Sequence, residues 1–276
     1  MSSATARDVP GSGAATVEER LRGYGLIVPA GHHLASLAER PEIEPVFGDV
    51  SFGVWEPYMN EDPVANELFG YAYEVYPDHQ FALFDPAGSA VATAHAMPLA
   101  WNGRDDDLPT GWDDQVLRSR ADREAGRVTN TLGAMLIVVR SGARGSGYAG
   151  TMLQVFRAAA RAAGRRGLIA CVRPNEKERY PLAPIERYAY WTRPDGLPLD
   201  AWIRLHVRLG GRIAGTSPRS MTMRGSIAEW EAWTGLSFPD SGEYVVRQGT
   251  GPVSIDRERD EGVYHDQNVW IVHALD

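Results

Sequence analysis

Thr131-Leu132-Gly133-Ala134-Met135-Leu136-Ile137-Val138-Val139, followed by Arg144-Gly145-Ser146-Gly147-Tyr148-Ala149, decides how this chain is read. The first run carries no charge and is rich in β-branched residues, which predicts a buried strand. From Tyr148 to Gly164 the period changes. Tyr148, Met152, Val155, Phe156, Ala159 and Ala163 mark one face of a helix, with Gln154, Arg157, Arg161 and Arg165 opposite and Gly164 as its stop. A glycine loop between strand and helix leaves several N–H groups unpaired at the positive end of the helix dipole, an arrangement suited to phosphate. Glycine also serves any tight turn, so the loop alone leaves both readings open.

The neighbouring segments extend the pattern. A helix crossover leads to a parallel partner strand, expected at Gly167 to Val172. Upstream, Gln80 to Phe84 and Ser89 to Met97 flank the turn Asp85-Pro86-Ala87-Gly88 and predict a hairpin. Helices are expected from Asn60 to Val75 behind Asp62-Pro63, and from Leu199 to Leu209, stopped by Gly210-Gly211. Thr16 and Glu19 form a capping-box pattern. Strands follow around Ser220 to Met223, Tyr244 to Arg247 and Val269 to His273, with a helical piece at Trp230 and Trp233 and an extended piece at Pro252 to Asp256. Trp101 to Val128, with Asp105-Asp106-Asp107 and Asp113-Asp114, reads as a solvated acidic loop or as the rim of a pocket for a cation. It lacks the Gly and Glu positions of a calcium loop. His32-His33 has no further ligand at helix or hairpin spacing, so no metal is expected.

Length and composition bound the classes. The 276 residues suit one elaborated domain: a flexible tail at 1–15, a core at 16–225 and a C-terminal extension packed on it at 226–276. A net charge of −8 excludes a generally basic surface for nucleic acid or anionic membrane. The single cysteine, Cys171, excludes an internal disulfide and reads as a small buried hydrophobe. No apolar run approaches the roughly 20 residues of a membrane span, and the N-terminus lacks signal-peptide regions. A soluble cytoplasmic protein is expected, with no membrane partner and an oligomeric state the sequence does not disclose.

Arg144-Gly145-Ser146-Gly147-Tyr148-Ala149, as Arg-x-x-Gly-x-Ala after an apolar strand, resembles the acyl-CoA signature of the GCN5-related N-acetyltransferase (GNAT) superfamily. The element order from Gln80 to Arg212 agrees with it. The resemblance implies an α/β (α+β) fold: a mixed, twisted central sheet with two splayed parallel strands, flanked by helices. It implies acetyl-CoA or another acyl-CoA as cosubstrate, held by the main chain of Arg144, Gly145, Ser146, Gly147, Tyr148 and Ala149. Main chain at Leu136, Ile137 and Val138 would polarise the thioester carbonyl. Glu178-Arg179-Tyr180-Pro181 and the Trp-rich C-terminal region are similar to larger, actinobacterial-type members. The activity implied is N-acyl transfer to a small-molecule amine, a tailoring step in secondary metabolism.

Such transfer needs a neutral amine, a polarised carbonyl and a proton for the departing thiolate. His206, Tyr188 and Tyr190 are the candidate acids, His206 standing where the family often places a tyrosine. Gly211 replaces the family's usual aromatic. No carboxylate lies between Thr131 and Val139, so the base is Glu178 or Glu186 in the Pro-rich segment, or a water chain. Two other readings stand beside this one. The donor could be a charged tRNA or a carrier protein, engaged through Arg157, Arg161 and Arg165, which share a helix face. Alternatively the chain is a non-catalytic acyl-CoA-sensing module.

Overall fold

Two long hairpins and a helix crossover build one sheet. In a computed structural model, which describes residues 15–275, the elements are α1 (Val17–Arg22), β1 (His33–Ser36), α2 (Glu44–Ser51), α3 (Pro63–Val75), β2 (Gln80–Phe84), β3 (Ala90–Leu99), α4 (Trp112–Glu124), β4 (Thr131–Val139) and α5 (Tyr148–Ala162). There follow β5 (Gly167–Val172), α6 (Ile185–Tyr188), α7 (Ala201–Arg208), β6 (Arg212–Gly225), α8 (Ile227–Thr234), β7 (Gly242–Tyr244), β8 (Val253–Asp256) and β9 (Glu261–Ala274). The strand order is β1-β2-β3-β4-β5-β9-β8-β7, with β6 also paired to β9. Among these pairings only β4 with β5 is parallel, as the α5 crossover requires.

Local chemistry explains the ends of the helices. Thr16 and Glu19 close a capping box on α1, and Asp62 Oδ1 accepts the Ala65 amide at 2.7 Å at the start of α3, where Pro63 needs no donor. Asp200 Oδ1 accepts the Trp202 and Ile203 amides at 2.9 and 3.1 Å to start α7, while its Oδ2 takes the Glu176 amide and the Tyr188 hydroxyl at 2.8 and 3.0 Å. One buried carboxylate thus ties the 173–190 segment to the next helix.

The sheet is covered on both sides. On one face, α1 and α5 pack Val17, Leu21, Met152 and Phe156 against Phe81, Leu83, Ala94, Leu132 and Leu168. Further along that face, α6 and α7 bring Ile185, Tyr188 and Ile203 to Ala170, Val172, Val269 and Ile271. On the other face, α3 and α4 set Leu68, Ala72, Trp112 and Val116 on Met97, Leu99, Met135, Ile169, Cys171 and Trp270, with α2 beside them through Phe47 and Val50. Burial on both faces is why β4 and β5 read as unbroken apolar runs.

Two features differ from the sequence reading. The segment Trp101 to Val128 is not a loop throughout, because it contains the 13-residue α4. The C-terminal region is not an extension laid on a finished core, since β9 lies inside the sheet between β5 and β8 and bonds β5 from Gly167 to Val172. What is added is α8, β7 and β8, inserted between the paired strands β6 and β9, with their own core around Trp230, Phe238, Ile255 and Tyr264. The expected tail falls, up to residue 14, outside the described residues. No helix among the described residues is long and apolar enough to cross a membrane.

Beneath α7 lies a buried polar chain. Arg157 donates to His273 Nδ1 at 3.4 Å, and His273 Nε2 lies 3.0 Å from His206 Nδ1. Because arginine only donates, His273 carries its proton on Nε2 and passes a hydrogen bond to His206, whose own proton then sits on Nε2, buried and without a partner. Burial pulls His206 down to about 3, and burial together with the Arg157 charge pulls His273 down to about 4.

Both histidines fold neutral but titrate near 6.5 when unfolded, so the unfolded chain takes up protons first as pH falls. Stability is therefore expected to be lost progressively from about pH 6.5 downward, and His206→Gln should reduce the slope by about one proton in urea titrations across that range. Asp200→Ala removes a cap and leaves the Tyr188 hydroxyl unpaired in the core. It should cost about 2–4 kcal/mol in the same assay, with Tyr188→Phe costing clearly less.

Candidate active site

The site begins where two strands part. β4 pairs with β5 only from Thr131–Gly167 to Ala134–Ala170, although β4 continues to Val139 and β5 stays bonded to β9 through Val172. On its other edge β4 has a bulge: His95 faces Leu136 and Ala96 faces Ala134, so Met135 is an extra residue. The two carbonyls at this fork are taken by α4, Ala134 O by Gln115 Nε2 at 3.0 Å and Met135 O by the Trp112 indole at 2.7 Å. Past Ala134, one edge of β4 has no strand beside it. Leu136, Ile137 and Val138 lie on this stretch, where alternate N–H groups face the open edge.

The glycine loop lies just beyond the end of β4. Gly145 and Gly147 hold φ of +85° and +83°, values that L side chains resist. Gly147 starts α5 without a side-chain cap. The amides of Gly145, Ser146, Gly147, Tyr148 and Ala149 have no partner among the described residues, whereas those of Gly150 and Thr151 already bond Gly147 O. Five free donors at the start of a 15-residue helix suit a diphosphate. Tyr148 is fixed by His32, whose Nε2 meets the hydroxyl at 2.8 Å while Nδ1 bonds Ala30 O at 3.1 Å. His32 thus steadies the loop, while His33 stacks on Phe84.

On the opposite face the fork meets polar side chains. Ser220 Oγ accepts the Trp112 amide at 2.9 Å and lies 3.2 Å from Cys171 Sγ and 2.8 Å from the Asn268 amide. The close approach depends on Gly111, where a Cβ would come within 2.5 Å of Ser220 Cα. Asp266 is fully buried and accepts from Arg173 Nε (2.9 Å), Thr250 Oγ1 (3.0 Å) and the Tyr264 hydroxyl (2.7 Å). Arg173 also bonds the carbonyl of Gln248, a residue held at φ +57°, and lies 5.8 Å from the Trp55 ring. Asp62 Oδ2 accepts the Thr222 amide at 3.1 Å. Asp113, on the first turn of α4, keeps Oδ1 shielded from solvent and without a partner. Burial, and then the Asp62 and Asp266 charges, push its carboxyl up to about 7. Burial likewise pushes the Cys171 thiol up to about 12, so it stays protonated.

The three candidate acids are not brought together. Tyr188 is buried with its hydroxyl committed to Asp200, its pKa raised by burial and by that carboxylate. Tyr190 is 56% exposed on the outside of the insertion. His206 packs against Trp202 at 4.5 Å and bonds His273, which pairs with Leu168 near the start of β5 rather than at the fork. Glu178 and Glu186 are exposed. The proposed basic strip is not presented as a strip, because Arg157 turns to His273 and Gly210 and Arg165 is drawn into the protein beside Tyr76 and Asp78. Asp113 entered the sequence reading only within the acidic run, as solvated loop or as the rim of a pocket for a cation; what that reading missed is that it starts a helix.

No family model matches the chain. Over 92% of its length and 98% of the relative's, it is 27% identical to arginine N-acetyltransferase avaD of Aspergillus versicolor. Among solved structures, the loading GNATL domain of CurA from Lyngbya majuscula superimposes with a TM-score of 0.57 at 12% identity, covering 88% of this chain and 98% of that one. The GphF GNAT-like decarboxylase, in complex with isobutyryl-CoA, gives 0.54 at 16% identity, covering 89% and 99%. The forked parallel strands and this end-to-end likeness show that the chain has the fold of the GCN5-related N-acetyltransferases.

Proposed function

We propose that the chain transfers an acyl group, acetyl first among candidates, from acyl-CoA to the amino group of a small cationic compound such as arginine. The observation that carries this reading is the opposition of two halves across the fork. Unpaired loop amides sit just past the end of β4 for a diphosphate, and a polar cluster of buried Asp62, buried Asp266 and half-buried Asp113 sits on the other face. A pantetheine arm entering between β4 and β5 would bring its thioester to Met135–Val138, next to that pocket. The carboxylates suit a cation better than a neutral amine. The similarity to an arginine N-acetyltransferase supports the same acceptor class. A tailoring role in small-molecule metabolism belongs to this proposal. The tRNA donor is not favoured, because two of the three arginines it needs are turned inward.

The test is mass spectrometry of the purified protein for retained acyl-CoA, joined to thiol-release assays with acetyl-CoA and L-arginine, agmatine, L-lysine or a neutral amine. Turnover with a cationic acceptor is expected, and thermal stabilisation by CoA should accompany it. Absence of both CoA binding and turnover would sink the proposal. Arg144→Glu, which sets a negative charge in the loop, should weaken CoA binding about tenfold or more at low salt, with the deficit shrinking as salt rises.

A further inference from the structure

Resting on the N-acyltransferase reading, we propose that Asp113 is the catalytic base, the carboxylate that removes the proton a cationic acceptor must lose before it attacks the thioester. Three carboxylates lie together on the acceptor face, and two are already committed. Asp62 spends one oxygen on the Ala65 amide and the other on Thr222 N. Asp266 is held by Arg173, Thr250 and Tyr264. Asp113 alone of the three has an oxygen both shielded and unbonded.

Its position follows from the residue before it. The Trp112 indole bonds Met135 O on β4, and the Trp112 amide bonds Ser220 Oγ, which touches Cys171 on β5. The first turn of α4 is therefore anchored to both strands at the point where they separate. It approaches from the face opposite α5, so a donor and an acceptor could reach the fork from different sides. Glu178 and Glu186 are exposed, and His206 lies on the donor face, neutral and bonded to His273.

The proton balance closes with these groups. An ammonium R–NH3+ gives one proton to the Asp113 carboxylate, which later releases it to water. The freed nitrogen lone pair forms the N–C bond at the thioester carbon, and collapse of the tetrahedral intermediate breaks C–S with the electron pair leaving on CoA sulfur. The second proton shed by nitrogen ends on that sulfur.

The groups facing Asp113 set its pH response. Burial comes first, followed by Asp62 at the start of α3, Asp266 on β9 and Asp114 on α4, with the Thr222 amide acting against them. Arg173 offsets the Asp266 charge, the Cys171 thiol is neutral, and His265, bonded to Thr222, is held below its usual value by burial. The base works only when ionised, so kcat/KM should rise with pH through about 7 and then level.

Asp113→Asn should lower kcat/KM for L-arginine about 100-fold or more and abolish the acidic limb of the pH profile, while CoA still stabilises the protein. Asp113→Glu should recover part of the rate and the limb. A second readout does not need turnover. Titrating L-arginine into the CoA complex in buffers of different ionisation heat should show proton release near pH 7 in the wild type and none in the Asn variant, because a bound cation lowers the carboxyl pKa. An unchanged pH profile or equal proton release in the Asn variant overturns the assignment. So does failure of every cationic probe to bind a wild type that holds CoA. Failure of the wild type to bind CoA would instead remove the donor reading on which the inference rests.

Discussion

The end of hydrogen bonding between β4 and β5 at Ala134–Ala170 is the constraint on which the other parts depend. A parallel pair buried on both faces has every reason to stay zipped, since each lone buried N–H or C=O costs about 1–3 kcal/mol. Met135 breaks the pattern by adding a residue opposite β3, which bends β4 away from its neighbour. The carbonyls this frees are not abandoned. Gln115 and Trp112 take them, so α4 acts as a substitute strand for two positions and keeps the gap from being closed by β5. The same helix turn is then obliged to lie at the fork.

A second constraint keeps the far side of the gap in shape. Arg173 continues beyond β5 and is paired with Asp266 on β9, both largely buried. Such a pair is weak evidence for stability, because desolvating two charges offsets their attraction. Its consequence is geometric: Arg173 also bonds the carbonyl of Gln248 in its left-handed conformation, and Asp266 collects Thr250 and Tyr264. Loop, strand and insertion meet there in one arrangement. Lys177 does similar work nearby, its ammonium capping Tyr180 O at 2.9 Å and Thr250 O at 2.5 Å, with its pKa drawn down to about 8 by burial.

What could be read from sequence follows from how each segment is buried. β4, α5, β5 and the β2–β3 hairpin bury apolar residues with one period, and their positions were legible to within a residue or two. α4 was hidden because its buried side mixes Trp112 and Val116 with Gln115, Ser119 and Asp122. Each polar one is spent on main chain: Ser119 on Pro98 O at 2.6 Å, Asp122 on the Ala100 amide at 2.6 Å, Gln115 on the fork. The outer half of β9 was masked in the same way by Asp266 and Asn268. His206 was visible through its place before Gly210-Gly211, but its partner His273 lies 67 residues later in a strand whose register no local pattern reveals. The glycine loop between β4 and α5 was legible because main chain and glycines make it. The polar cluster on the opposite face was not, because it is assembled from separate elements.

That difference also bears on Asp113. A carboxylate on the first turn of a helix is ordinarily helped to ionise by the dipole, a preference worth at most about 1 kcal/mol at an exposed site. Asp113 shifts the other way, toward the protonated form. The dipole is therefore outweighed by loss of solvent and by two neighbouring carboxylates that cannot move away, since Asp62 is locked into the start of α3 and Asp266 into the Arg173 pair. A bound cation would relieve this tension by supplying the positive charge the pocket lacks. Arg173 does not supply it, because its charge is already balanced by Asp266. On the proposed reading Asp62 and Asp113, which burial disposes toward the protonated form, would help to hold the acceptor once it arrives, beside the stretch of β4 that β5 does not cover.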